Sequence, residues 1–287
     1  MIKVFTAFSG YDSQCLALNR IGIQYELVGW SEIDKYAIQA HNALFPQWAN
    51  RNYGDISTID WRNVPDFDLF TYSSPCQDFS QAGKQKGGTK GSGTRSSLLW
   101  ECERAIREKR PKYLLFENVK ALTTKKFLPL FHNWQHTLEN YGYTNFAQVL
   151  NAKDYGVPQN RERVYMVSIY NADRFFQFPE PQPLKTKLAD LLETEVDEKY
   201  YINDVQINSF RTSNYGQNTR RLQEKDYCNT LCSRDYKDPK LVEVGSLSGS
   251  GWDRRYEQTR RIYSPNGISP TLHTAQGGGT EIKIVEQ

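Results

Sequence analysis

The chain is short of cysteine and has no long apolar run, and both shortages narrow what it can be. No stretch approaches the roughly 20 consecutive apolar residues of a membrane span. The opening Met1-Ile2-Lys3-Val4-Phe5 leads straight into strand-like sequence, without an apolar signal core or a small-residue cleavage site. A cytoplasmic protein with no membrane role is therefore expected. The five cysteines, at 15, 76, 102, 228 and 232, are odd in number and mostly far apart. That excludes a complete disulfide framework and points to a reducing compartment. Cys228 and Cys232 offer half of a metal clip, but no second Cys or His pair follows at a suitable spacing, so no metal is expected. A large excess of one charge is missing too: the net charge is +3, too little on its own to signal a nucleic-acid partner.

What is present suits an ordered globular protein. Of 287 residues, 38% are hydrophobic, 24% charged and 13% aromatic, enough for a real core in one large domain, or in a large one with a smaller companion. Through about residue 170, strand-like runs alternate with helical patterns. Strands are expected over residues 3–8, 25–30, 66–72, 112–116, 146–151 and 164–170, and helices over 13–21, 35–44, 98–109 and 127–141. Pro46 is placed to stop the second helix. The pattern implies an α/β fold: a doubly wound, mostly parallel Rossmann-like sheet. Residues 77–95 are rich in Gly, Lys and Ser, and read as a basic lid for a phosphate-bearing substrate. After the Pro-rich stretch at 178–183, sequence with Gly clusters and basic patches at 219–221 and 254–261 reads as a smaller irregular surface-reading region. The division expected is 1–171 and 172–287.

Several strand ends carry residues capable of chemistry. The first empties into Phe8-Ser9-Gly10, a glycine turn before a helix, where backbone amides can approach a nucleotide-like ligand. Glu32, followed by Ile33, ends the second strand as a candidate for ribose hydroxyls, and Gly54-Asp55-Ile56 offers a further acid near the end of the third. Each acid alone also suits a cap or a solvated surface; their order along one wound sheet suggests an adenosyl pocket. Pro75-Cys76-Gln77 and Glu117-Asn118 follow two apolar runs, so a thiol and a carboxylate would open on one edge of a parallel sheet. Cys76 also has the bland reading of a small buried hydrophobe, against which stand Pro75 before it and the lid-like loop after it. Arg161 and Arg163 alternate at the entrance to the last strand. That spacing would put two guanidinium groups on one side, to hold a phosphate or a carbonyl oxygen or to salt-bridge an edge strand.

In this order the segments resemble the DNA cytosine-5 methyltransferase family. The likeness is dense over residues 2–170, through Phe8-Ser9-Gly10, Glu32, Asp55, Pro75-Cys76-Gln77, Arg95 to Leu98, Glu117-Asn118-Val119 and Gln159-Asn160-Arg161-Glu162-Arg163. The resemblance implies S-adenosylmethionine as methyl donor, held by Phe8, Ser9, Gly10, Glu32, Ile33, Asp55, Ile56, Pro75 and Leu98. It implies Cys76 as nucleophile toward cytosine carbon 6, Glu117 on the ring nitrogen and amine, Arg163 on the carbonyl oxygen, and Arg161 in support of the site or on a phosphate. The cytosine must be flipped out of double-stranded DNA to be reached, and residues 172–287 would read the target. A bacterial or phage restriction-modification setting is implied as well.

Two departures from the family pattern stand out. Asp12 occupies a place where a second glycine is common, and the usual closing segment that completes the donor pocket is not found before Gln287. The expectation is a recognition region incomplete at its C-terminal end, the chain being a truncated piece, one part of a split enzyme whose separate chain supplies the remainder, or a divergent member. An RNA cytosine-5 methyltransferase on the same fold, and a catalytically impaired DNA-binding fragment of a split enzyme, are the alternatives.

Overall fold

The computed structural model describes residues 1–75, 98–173, 175–192, 222–223, 226–231, 241–246 and 261–264. Cys76, the loop at 77–95, Cys232 and the basic patches at 219–221 and 254–260 lie outside the described residues. The chain divides into two compact units, Met1–Leu150 with Glu162–Glu180, and Asn151–Arg161 with Pro181–Gln287.

The first unit is built on a six-stranded sheet. Its strands are β1 (Ile2–Ala7), β2 (Tyr25–Ser31), β3 (Leu69–Tyr72), β4 (Tyr113–Val119), β5 (Tyr143–Asn151) and, beyond the two-residue β6 (Gln159–Asn160), β7 (Glu162–Tyr170). They lie in the order β2-β1-β3-β4-β7-β5. The pairings β1 with β2, β1 with β3 and β3 with β4 are parallel, and β4 with β7 is antiparallel. Helices α1 (Ser13–Arg20), α2 (Lys35–Leu44), α3 (Leu99–Lys109) and α4 (Leu128–Asn140) flank it. The sheet is mostly parallel and Rossmann-like, as the alternating pattern implies.

Period-2 alternation divides the core between the two faces. Val4 joins Cys15, Tyr25, Leu27, Trp30 and Phe45 in one buried cluster, while its neighbour Phe5, with Ala7, joins Phe70, Tyr72, Cys102, Phe116 and Trp134 in the other. Burying each large ring contributes about 2–3 kcal/mol. Gly29 makes room for this layer, because a Cβ there would stand 2.7 Å from ring atoms of both Phe5 and Tyr53. Helix α2 starts where Asp34 Oδ1 accepts from the amides of Tyr36 (2.9 Å) and Ala37 (3.0 Å). It ends at Leu44, and Pro46 opens a 3-10 turn instead.

One local expectation is corrected. Strand β4 does not stop at Phe116: the antiparallel ladder with β7 carries it through Glu117↔Tyr165 and Asn118↔Val164 to Val119↔Arg163. Gly54-Asp55-Ile56 is also tied to the end of β2, where Ser31 Oγ donates to Gly54 O at 2.6 Å, while Ile56 shares a buried cluster with Phe70 and Tyr72 of β3.

In the second unit, Gln159–Asn160 pairs in parallel with β9 (Cys228–Asn229), and Leu188 packs with Cys228 in a small buried cluster. A three-stranded sheet there has the order β11-β10-β8, formed by β8 (Leu222–Gln223), β10 (Leu241–Ser246) and β11 (Arg261–Ser264). Among the described residues, no helix is long and apolar enough to cross a membrane.

Candidate active site

The carboxyl ends of the parallel strands form one edge of the sheet, where ligand crevices of open α/β folds lie. Strands β3 and β4 run in register, Tyr72 beside Phe116, so residues 73–75 leave the sheet alongside 117–119, which β4 still holds in its ladder with β7. Buried Asn118 fixes them: its Nδ2 donates to Ser74 O (3.2 Å) and Ser74 Oγ (3.4 Å), and its Oδ1 accepts from Val119 N (2.9 Å). The half-buried Pro75 follows directly. The backbone that leads into position 76 is thereby anchored to the strand that carries Glu117.

Glu117 and Arg163 are brought together. Arg163 Nε lies 3.1 Å from Glu117 Oε1, with the side chains 16% and 21% exposed, and Arg163 Nη1 donates to Glu162 O at 2.8 Å. An acceptor and a planar donor thus stand next to each other at the mouth of the sheet, shielded enough for their charges to matter and open enough to be reached. Arg161 does not continue this pattern. It falls between β6 and β7, its amide donating to Gln159 O (2.9 Å) and Asn151 Oδ1 (3.0 Å), so the strand alternation that would align two guanidinium groups is broken there. It also belongs to the second unit.

The other expected residues gather at the ends of β1 and β2. Phe8 and Gly10 both adopt positive φ, 54° and 57°. The value is easy for glycine but unfavourable for a bulky residue, and such strain concentrates at functional turns. Gly10 N donates to Glu32 Oε2 at 3.0 Å, while Glu32 Oε1 accepts from the amides of Ile33 (2.8 Å) and Asp34 (2.9 Å). Buried Ser9 is held by its amide on Ser31 O (3.2 Å), and its hydroxyl has no hydrogen-bond partner among the described residues. Ile33, 71% exposed, offers an apolar surface beside the acid. Asp55 is exposed and caps its own turn, accepting from Ser57 N and Oγ, both at 2.8 Å. Ile56 is buried in the core, so only its backbone can face a ligand. Leu98 packs half-buried against the core just before α3.

Asn52 escapes the sequence reading. Its Oδ1 accepts from Glu32 N (3.2 Å) and Gly54 N (2.9 Å), and its Nδ2 donates to Glu32 O (3.1 Å). It pins the turn after β2 to the turn that carries Asp55. The only sequence signal is an amide two residues ahead of Gly54-Asp55, and its partners at Glu32 lie 20 residues away.

Two cysteines have the chemistry of core residues. Burial, followed by the charge of Asp12, pushes the Cys15 thiol far up, and burial does the same to Cys102. Both are kept protonated, unlike a nucleophilic thiol. Among the described residues, no group of three or more His, Cys, Asp or Glu side chains could hold a metal ion.

Comparison with known proteins places these features in context. The family model for C-5 cytosine-specific DNA methylase matches residues 2–280. The type II methyltransferase M2.ScrFI of Lactococcus lactis subsp. cremoris is 41% identical over 258 residues, 72% of each chain. The orphan methyltransferase M.Rho11sI of Bacillus phage rho11s is 32% identical over 97% of this chain, which spans 58% of the phage protein. Among solved structures, the S. pombe Dnmt2 methyltransferase superposes with a TM-score of 0.66 at 19% identity, covering 92% of this chain and 83% of its own. The Entamoeba histolytica methyltransferase EhMeth gives 0.68 at 16% identity, covering 98% and 90%. These two likenesses establish the fold.

Proposed function

This chain belongs to the C-5 cytosine-specific DNA methylase family, and from that premise we propose that it methylates carbon 5 of a flipped-out cytosine in duplex DNA, with S-adenosylmethionine as donor and Cys76 as covalent nucleophile. Residues 1–171 carry the chemistry in this reading, and the segment from 172 onward reads the target. The setting is that of a bacterial or phage modification enzyme, inside the cell.

The observation that carries the reading is the Glu117–Arg163 pair, 3.1 Å apart at the sheet edge, beside a clamped segment that enters position 76. Cytosine presents its exocyclic amine, ring nitrogen 3 and carbonyl oxygen along one side. A carboxylate serves the amine and a protonated ring nitrogen, and the neighbouring guanidinium serves the oxygen. Carbon 5 of the free base is a poor nucleophile. Attack of the Cys76 thiolate forms a sulfur bond to carbon 6, and Glu117 and Arg163 stabilise the charge that develops on the ring. Carbon 5 then takes the methyl group, a base removes its proton, and the carbon–sulfur bond breaks to restore the aromatic ring. None of these side chains reaches a stacked base, so the nucleotide must leave the helix.

The residues at the ends of β1 and β2 fit a nucleoside-bearing donor. Among the described residues, the Ser9 hydroxyl is buried without a partner, a Cβ on Gly10 would meet nothing within 4 Å, and Ile33 exposes apolar surface next to the Glu32 carboxylate. When bound there, S-adenosylmethionine supplies an electrophilic methyl group. Phe8, Ser9 and Gly10 would border it, Glu32 would take the ribose hydroxyls, Ile33, Leu98 and the backbone of Ile56 would line the base, and Asp55 would face its amine. Pro75 would close the side next to the cysteine. Arg161 is assigned to a supporting or phosphate contact.

Trapping tests the reading. DNA carrying 5-fluorocytosine cannot lose its carbon 5 substituent after methyl transfer, so the chain should form a denaturation-resistant complex with it only when the donor is present. Cys76→Ser should abolish that complex. A complex that forms equally well in the serine variant, or without donor, would contradict the mechanism.

A further inference from the structure

Beneath the turn that carries Phe8 to Gly10 lies a fully buried pair, Asp12 and His41, that the chemistry above does not use. We propose that they are positioning residues, locking the β1–α1 turn to α2 in the shape that accepts the methyl donor. The inference rests on reading that turn as part of the S-adenosylmethionine pocket.

Asp12 adopts a left-handed backbone, φ 68° and ψ 60°. Glycine takes that conformation with no steric cost, whereas a residue with a Cβ is disfavoured there. A buried carboxylate adds a desolvation cost that only its partners offset. If the shape of the turn were all that mattered, glycine would provide it more cheaply. What the carboxylate adds is a cross-link. Its Oδ2 accepts from Thr6 Oγ1 on β1 at 2.8 Å and lies 3.6 Å from His41 Nε2 on α2, and its Oδ1 accepts from Cys15 N at the start of α1 at 3.3 Å. The Asp12 amide closes the turn on Ser9 O at 2.8 Å.

His41 is set for the same purpose. Its ring stacks on Trp30 of β2, centroids 3.7 Å apart and planes 20° from parallel. Neither ring nitrogen has a hydrogen-bond partner among the described residues, so the facing Asp12 carboxylate is the polar group that accounts for an imidazole buried at this place. The helix that carries His41 begins at Lys35, three residues after Glu32, whose Oε2 already holds Gly10 N. Gly10–Glu32 above and Asp12–His41 below therefore join the same two corners of the pocket, and neither corner can shift without the other.

The test compares the full chain with its Asp12→Gly, Asp12→Asn and His41→Phe variants. It measures S-adenosylmethionine affinity by calorimetry, KM for donor and for DNA, kcat at saturating donor, and thermal unfolding. Asp12→Gly relieves the left-handed residue but removes every side-chain tie, and should weaken donor binding at least tenfold while kcat and the KM for DNA stay within twofold. Asp12→Asn keeps an acceptor for the Cys15 amide and turns the Thr6 contact round, its NH2 donating to the Thr6 hydroxyl oxygen, and should recover donor affinity to within threefold of wild type. His41→Phe keeps the stack on Trp30 but loses the nitrogens, and should weaken donor binding three- to tenfold. Should Asp12→Gly fail to fold, His41→Phe decides: a folded variant with donor affinity within twofold of wild type overturns the proposal. Equal losses in donor affinity, DNA affinity and kcat also overturn it, since they mark a general packing role. A wild-type chain that binds no donor would instead remove the pocket reading itself, and the pair's role with it.

Discussion

Glu117 and Arg163 divide their work in a way that substitution can separate. Both are partly shielded, 21% and 16% exposed, and 3.1 Å apart, so each tempers the cost of desolvating the other before a base arrives. Losing one preorganised charge that acts on a transition state typically costs 10²–10³ in rate, about 3–4 kcal/mol. Glu117→Gln preserves shape and a hydrogen-bonding oxygen but not the negative charge that steadies a protonated ring. It should therefore cut single-turnover methylation by about 10²–10³ and leave calorimetric donor affinity unchanged, because Glu117 stands apart from the β1 and β2 corners. Arg163→Lys keeps the charge but loses the planar fork, and should fall between Glu117→Gln and wild type. A Glu117→Gln variant that loses donor affinity along with rate would place Glu117 in the other half of the site.

Strands and helices set these side chains, and here sequence and structure part company in an instructive way. Helix α2 is legible residue for residue because its signals are local: an Asp34 cap at its start and Pro46 just beyond its end. Strand β4 was readable only as far as Phe116. Glu and Asn are poor strand formers, and the antiparallel partner that holds them in the ladder, β7, lies more than 40 residues onward. The same distance hides the clamp of Asn118 on Ser74, 44 residues apart, and the pin that Asn52 makes between two turns. Amides like these look generic in a sequence and acquire a role only from partners the fold delivers. Glu117 and Arg163 were recognisable as candidates, but their contact was not. Asn118→Ala should show what such a partner is worth. It would leave Ser74 O and Oγ without the buried donor they now share, at a cost of about 1–3 kcal/mol, and would loosen the segment entering position 76. A lower urea midpoint and at least tenfold slower single-turnover methylation, with donor affinity intact, are expected. A drop in stability with the rate unaltered would reduce Asn118 to a packing residue.

The two faces of the sheet each enclose groups that burial keeps protonated. On one face lie Cys15 and Tyr25, on the other Cys102, Tyr72 and Tyr143. Desolvation is the leading cause of the upward shift in all of them, reinforced at Cys15 by the Asp12 charge and at Tyr25 by Cys15. The unfolded chain titrates these groups near ordinary values, about 8.5 for cysteine and 10 for tyrosine. The folded form therefore holds its protons longer than the unfolded one. Their contribution to stability is complete below those values and declines as pH rises through them, by up to about 1.4 kcal/mol per group for each pH unit. Urea midpoints should hold steady to about pH 8 and fall progressively above about 8.5, with the tyrosines steepening the fall beyond about 10. In a Cys15→Ser, Cys102→Ser double variant the tyrosine part of that decline should persist, while the cysteine part is lost and the slope between about pH 8.5 and 10 becomes shallower. An unchanged slope in the double variant would mean that these thiols titrate alike in the folded and unfolded chain, and that the two buried faces are wetter than their packing implies.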